Sequence, residues 1–474
     1  MNIVYNEVLV YRNGKKEYVN SNIAKYDVHP WHTGNYSNRQ DLEKYLGISL
    51  PYEMTGDEDN ELLNKLVVFQ SQSLECFLDH NYQRHKRYTV DELEGIDINY
   101  LYPVIIYSNE IFKKYDSIDI PERVLNDAVN NKCKICFIQP TEGFFGENDQ
   151  NFVWMDSLSK KYNLSRDSLV VITTNFRSKL RQQELIELGY IGKNTFKVIE
   201  YSYFAANLWF HDPGHISDSH ADINGRIKIA DLVSHNLTQK KKFHFLNFNR
   251  VPKLHRAILY GVLNSKKTFQ GKFISTIAGT DSGDPQYYKK WVEGQVPTEY
   301  DSRWRLDMVK FYSNYDSTQH ATYDVVDLEN NKADSLNLQA HKESFVNIVS
   351  ESLIHPETIF FSEKIYKPIF CIQPFIIVGN PDSLKSLKEQ GFRTFDKWWD
   401  ESYDNEIDFH RRMDKIIGTM EEISKWSLEK CYKITQEMLP DLIHNFNVLM
   451  KGETLTNLLD ELSVFKNKAG KDLI

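Results

Sequence analysis

A hydroxyl, a carboxylate and an ammonium stand side by side at Ser362, Glu363 and Lys364, and Ile365-Tyr366-Lys367-Pro368 follows them. After these comes the apolar run Phe375-Ile376-Ile377-Val378-Gly379. A serine just before a helical stretch is an N-cap signal, and an acid and a base beside it fall where a helix concentrates its free N–H groups. A buried strand directly afterwards sets that helix terminus at the edge of a sheet. This is how α/β domains offer charge to a nucleotide. Glu363 would accept hydrogen bonds from a ribose diol, and Lys364 would place a point charge beside phosphates. Capped surface helices also carry acids in their first turn, so the triplet gains chemistry only from its surroundings.

One surrounding element is Phe243-His244-Phe245-Leu246-Asn247-Phe248-Asn249-Arg250, a strand running into a loop, with Lys253, His255 and Arg256 close behind. The first strand of a nucleotide-binding domain ends beside the phosphates, and a guanidinium can meet a phosphate through two parallel hydrogen bonds. Arg250 is therefore the candidate phosphate ligand. The neighbouring Lys240-Lys241-Lys242 reads as a solvated basic face.

Other chemistry-bearing groups have simpler readings. His211-Asp212-Pro213-Gly214-His215 with Asp218, His220 and Asp222 could be drawn as a metal cluster, but its Pro, Gly and Ser spacers describe a polar loop, and no metal is expected. Cys133 and Cys136 sit three apart on a strand, face opposite sides and read as packing. Trp398, Trp399 and Tyr403 could stack on a base or sugar face, although a Trp pair before a long helix is more often packing.

Length and composition bound what these residues can belong to. A chain of 474 residues, 41% hydrophobic and 26% charged, exceeds one ordinary core and predicts about two domains. The net charge of −9 disfavours a nonspecific nucleic-acid binder and leaves a nucleic acid possible only at a local basic patch. Five scattered cysteines and the lack of a leader-like start predict a reducing, cytoplasmic setting without disulfides. No apolar run is long enough for a membrane span. The Asn, Lys, Ile and Tyr bias suggests a viral or low-GC bacterial source.

From residue 100 onward, buried strands alternate with helical patterns. Strands are predicted at Leu101 to Tyr107, Ile135 to Ile138, Leu169 to Thr173 and Lys197 to Tyr201, and helices at Glu122 to Val129, Asn151 to Lys161 and Ser178 to Leu188. That rhythm means βαβ units and a parallel sheet. An earlier amphipathic helix is expected from Asn60 to Asn81. A polar segment from His211 to Lys242 precedes a second series: strand Phe243 to Phe248, helix Lys253 to Leu263, strands Phe273 to Ile277, Phe345 to Val349 and Phe375 to Val378, and helices from Asn405 onward. The expectation is an α/β fold of two Rossmann-like domains facing a cleft, residues 1–235 and 236–474, the second carrying the nucleotide site and a helical C-terminal segment.

The passage Phe345-Val346-Asn347-Ile348-Val349-Ser350-Glu351-Ser352, with Phe361-Ser362-Glu363-Lys364-Ile365-Tyr366-Lys367 and Pro374-Phe375-Ile376-Ile377-Val378-Gly379, resembles the donor-binding motif of GT-B glycosyltransferases related to the α1,3-fucosyltransferases. That group has a strand ending in Glu-Asn-Ser, then Thr-Glu-Lys-Leu-Tyr opening a helix, then a Pro-Val-Val strand. The resemblance implies that Glu363 and Lys364 contact the ribose and phosphates of a nucleotide sugar, with Glu351 near the sugar or nucleotide and Arg250 matching arginines of the group. Ser352 stands where the group has Asn, and Pro368 should kink or stop the helix, so the donor sugar is not carried over.

The expected activity is transfer of a hexosyl or pentosyl group from a nucleotide sugar, the substrate rather than a cofactor, to a glycan or other hydroxyl acceptor. An inverting, metal-independent displacement needs one carboxylate as general base. Glu142 is the candidate, because Thr141-Glu142-Gly143 follows the strand Ile135 to Ile138, with Glu147 and Asp149 as competitors. Two other readings are a glycosyltransferase acting on modified DNA bases and a nonenzymatic assembly module that keeps the fold.

Overall fold

The structure, a computed structural model, describes residues 2–5, 7–12, 15–20, 86–90, 93–105, 120–139, 149–202, 229–249, 253–276, 307, 311–312, 336–354, 357–451 and 461. The chain divides into two compact units, Met1–Tyr203 with Leu455–Ile474, and Phe204–Thr454.

In the first unit, strands β1 (Asn2–Tyr5), β4 (Lys86–Thr89), β5 (Tyr100–Ile105), β6 (Cys133–Gln139), β7 (Leu169–Thr173) and β8 (Lys197–Glu200) form one parallel sheet in the order β4-β1-β5-β6-β7-β8. A separate antiparallel pair joins β2 (Glu7–Arg12) to β3 (Lys15–Asn20). Helices α1 (Glu122–Val129), α2 (Asp149–Tyr162) and α3 (Ser178–Glu187) are the crossovers. Every residue of β7 is buried, as expected when helices cover both faces of a parallel sheet. Val124 and Ala128 of α1 close on Tyr102, Ile135, Phe137 and Val171 in one core.

In the second unit the described residues begin with α4 (Ile229–Thr238), and a parallel sheet is built from β9 (Phe243–Phe248), β10 (Phe273–Thr276), β11 (Ser344–Ser350) and β12 (Phe375–Val378), in the order β10-β9-β11-β12. The described residues also form helices α5 (Leu254–Ser265), α6 (Leu338–Glu343), α7 (Glu363–Phe370), α8 (Ser383–Glu389), α9 (Phe409–Ser424) and α10 (Leu428–Lys451). The first strand, β9, has β10 on one side and β11 on the other. The chain goes from β9 to β10 on one side and then to β11 on the other, so the carboxyl ends of β9 and β11 flank a topological switch point, where open α/β sheets bind ligands.

Several sequence expectations need correction. Helix α4 falls inside the segment read as a polar spacer. Lys241, read as part of a solvated face, is only 4% exposed, and its ammonium donates to Asn236 Oδ1 at 2.8 Å and the Lys342 carbonyl at 3.1 Å. Pro368 does not stop its helix, which runs two residues further and closes through Gln373 N–H to the Pro368 carbonyl at 2.9 Å and Ile372 N–H to that of Ile369 at 3.2 Å. This closure puts Ile372 at φ 53°, a conformation that a β-branched residue adopts only under strain. The helix expected at 60–81 lies outside the described residues. Among the described residues, no helix is long and apolar enough to cross a membrane.

Candidate functional site

Three short segments meet at the switch point: the end of β9 with the first turn of α5, the turn after β11, and the first turn of α7. Each follows a parallel strand or begins a helix, so backbone amides and carbonyls gather there without ladder partners.

Glu351, first residue after β11, ties two of these segments together. Its carboxylate accepts from Ser352 N–H at 3.2 Å, Ser362 N–H at 3.2 Å and the Ser362 hydroxyl at 2.5 Å. Ser362 is the N-cap of α7, and the same hydroxyl oxygen accepts from Lys364 N–H at 3.3 Å. One serine thus closes the loop from 351 to 362 and caps the helix. Burial pushes the Glu351 carboxyl upward, against the pull of Lys364 and Ser362. The side chain is 1% exposed, and every hydrogen bond shown for its carboxylate goes to Ser352 or Ser362. Gly379, after β12, is closely surrounded: a Cβ there would sit 3.0 Å from Ile377 Cγ2 and 3.3 Å from Ser383 Oγ, and in ordinary contact with Glu351 Cγ at 3.7 Å.

The basic residues at the start of α5 grip the same turn from the other side. Lys253 donates to the Ser352 carbonyl, His255 Nε2 to the Glu351 carbonyl at 2.8 Å, and Arg256 Nη2 to the carbonyls of Ser350 and Glu351 at 3.3 and 3.1 Å. A carbonyl only accepts, so His255 carries its proton on Nε2. Burial, and then the charge of Arg256, hold its imidazole well below the ordinary value and therefore neutral. His255 and Arg256 are both buried.

Glu363 and Lys364 form an ion pair in the first turn of α7, and Lys364 Nζ also reaches Ser352 Oγ at 3.3 Å. Burial opposes ionisation of Glu363, but Lys364 and Lys367 outweigh it and hold the carboxyl below its usual range. Among the described residues here, Lys253, Arg256 and Lys364 outnumber the carboxylates Glu351 and Glu363, and Lys367 stands in the last turn of α7. That surplus, added to a helix N-terminus, suits an anion of two or more charges.

The structure therefore brings together Glu351, Glu363 and Lys364. Arg250 and Glu142, with Glu147, lie outside the described residues, as does the His211 to Asp222 segment. Among the described residues no group of three His, Cys, Asp or Glu is placed to hold a metal. Cys133 and Cys136 are buried and unpaired with each other, in keeping with packing. Trp399 and Tyr403 are packing too, since Trp399 lies 5.3 Å from Phe395 with the rings tilted, Phe395 meets Phe375 edge-on at 5.0 Å, and Tyr403 is buried, whereas Trp398 is only half-buried. The sequence reading assigned no role to Lys253, His255, Arg256 or Lys367. A basic run at a predicted helix start was the available signal.

No family model matches the chain, and no curated protein matches it. Among solved structures it is similar to the N-terminal domain of Candida albicans trehalose-6-phosphate phosphatase, with 11% identity, 88% of this chain and 78% of that one covered, and a TM-score of 0.38. It is similar to an α,α-trehalose-phosphate synthase (UDP-forming) from Burkholderia vietnamiensis, with 13% identity, 84% and 82% covered, and a TM-score of 0.38. An α1,3-fucosyltransferase with GDP also matches, with 11% identity, 87% and 88% covered, and a TM-score of 0.33. At such identities the chemistry of the site has to be argued from its own residues.

Proposed function

We propose that the second unit binds the nucleoside diphosphate part of a nucleotide sugar at the carboxyl ends of β9 and β11, and that the chain is a glycosyltransferase. One observation carries this reading: the strand order β10-β9-β11-β12 creates a switch point, and the cationic surplus with the capped α7 N-terminus stands at that point. Lys364 and the helix N-terminus stabilise the diphosphate as it leaves, Glu363 receives the ribose hydroxyls, and Arg250 adds a second phosphate contact. Lys253, His255, Arg256 and Glu351 hold the loop that shapes the site. Glu142 takes the proton of a glycan or other hydroxyl acceptor, and the displacement inverts the anomeric centre. Side chains, not a metal, neutralise the leaving group.

Calorimetric titration with ADP, GDP, UDP and CDP tests the binding half. Release of nucleoside diphosphate from the matching nucleotide sugars, with and without EDTA, tests the chemistry. The expected result is saturable binding of one diphosphate and turnover that survives chelation. Failure of all four to bind defeats the reading, and turnover lost in EDTA but restored by manganese or magnesium defeats its metal-free part.

A further inference from the structure

Asn249, the residue after β9, is 0% exposed, and its side-chain oxygen has no hydrogen-bond partner among the described residues. Its neighbours fix which end of the amide that oxygen occupies. Asn247 Nδ2 lies 2.7 Å from the Ile348 carbonyl and 3.1 Å from Ser350 Oγ. A carbonyl accepts only, so the NH2 group of Asn247 must face it, and Asn247 Oδ1 points the other way as an acceptor. That oxygen takes Asn249 Nδ2 at 2.7 Å and, more weakly, Ser275 Oγ at 3.4 Å. Flipping Asn249 would set two amide oxygens against each other. Asn249 Oδ1 is therefore an acceptor pinned at the end of the central strand, and the backbone is held as well, by Asn249 N–H to the Thr276 carbonyl at 3.1 Å.

A buried acceptor without a donor costs about 1–3 kcal/mol, so a position that keeps one calls for a partner. Phosphate oxygens cannot serve, because they are acceptors themselves at neutral pH. The partner must bring an O–H or N–H, and it must reach the switch point between β9 and β11. Resting on the nucleotide-sugar reading above, we infer that Asn249 Oδ1 receives a hydroxyl of the bound donor, either of its ribose or of the sugar to be transferred. Asn249 then selects a hydroxylated ligand, whereas the neighbouring lysines and arginine select its charge.

The test compares ligand pairs in the whole protein. Wild type and Asn249→Ala are titrated with the best-bound nucleoside diphosphate, its 2′-deoxy and 3′-deoxy forms, and the nucleotide sugar with and without single sugar hydroxyls. Wild type should prefer one hydroxylated member by ~5–10-fold, the scale of one hydrogen bond. Asn249→Ala should bind both members of that pair equally; collapse of the deoxynucleotide ratio assigns the ribose, and collapse of the deoxysugar ratio assigns the sugar. Ratios unchanged in the variant overturn the inference. Should the variant not fold, a crystal of wild type with its nucleotide sugar decides: a ligand hydroxyl within ~3.2 Å of Oδ1 supports the inference, and a water in that place overturns it. If wild type binds no nucleotide at all, the nucleotide-sugar reading fails first, in a titration that involves no variant, and this inference falls with it.

Discussion

At the scale of residues, the site is organised around one hydroxyl. Ser362 Oγ donates to Glu351 and accepts from Lys364 N–H, so its loss removes a helix cap and a partner of a buried carboxylate together. Ser362→Ala should therefore destabilise the fold by about 1–2 kcal/mol, the upper range for an N-cap, in urea denaturation. A change within a few tenths of a kcal/mol would show that neither bond matters. Lys364 serves fold and ligand together: among the described residues its ammonium meets Glu363 and Ser352 Oγ, and it helps to keep the buried Glu363 carboxyl ionised. Lys364→Ala should cost some stability, because the buried Glu363 carboxylate loses its paired cation, and should weaken nucleoside diphosphate binding by about 1.5–3 kcal/mol, the worth of a hydrogen bond to a charged group. Unchanged affinity by calorimetry would remove α7 from the phosphate site.

At the scale of elements, the sequence was readable where burial was continuous. Leu169–Thr173, Phe243–Phe248, Phe375–Val378 and the helix Glu122–Val129 stand where their apolar patterns place them, because a parallel strand covered on both faces is largely apolar. The capped helix at Ser362 was legible for a related reason, as its signal lies in three adjacent residues. The clamp of Lys253, His255 and Arg256 was not, because it grips backbone carbonyls, which no side-chain pattern records. Lys241 was misread on the same account: its partners are an amide at Asn236 and a carbonyl at Lys342, so no carboxylate in the sequence announces a buried cation. Burial lowers this ammonium from an ordinary 10.5 to about 8. Between those values the unfolded chain holds a proton that the folded one releases, so stability rises with pH from about 8 to 10.5, by about 3 kcal/mol in all. Below pH 8 both states are protonated and the full penalty remains. Lys241→Met should erase that rise, measured as the difference between wild-type and variant denaturation curves across the window. Parallel pH profiles would show that the amine is solvated in solution.

At the scale of the whole molecule, charge and chemistry are divided. The chain is acidic in total, at −9, yet cations prevail where β9 and β11 end, so the proposed anion site is local and invisible to the sum. On the proposed reading, affinity for the donor resides in the second unit, whereas the proton acceptor, Glu142, follows β6 of the first. Binding and proton transfer should then respond to different substitutions. Glu142→Gln keeps the shape and loses the basic oxygen, and a general base typically contributes ~10² to 10⁴ in rate. Turnover should fall by about that factor while the dissociation constant of the nucleoside diphosphate stays within about twofold of wild type, since a group acting only in the transition state leaves ground-state binding alone. Raising the pH should not restore the variant, because the amide has no proton to lose. Near-normal turnover would move the role to Glu147 or Asp149. Of these, Asp149 is already engaged by Arg181 at 2.6 Å, which leaves Glu147 as the stronger candidate.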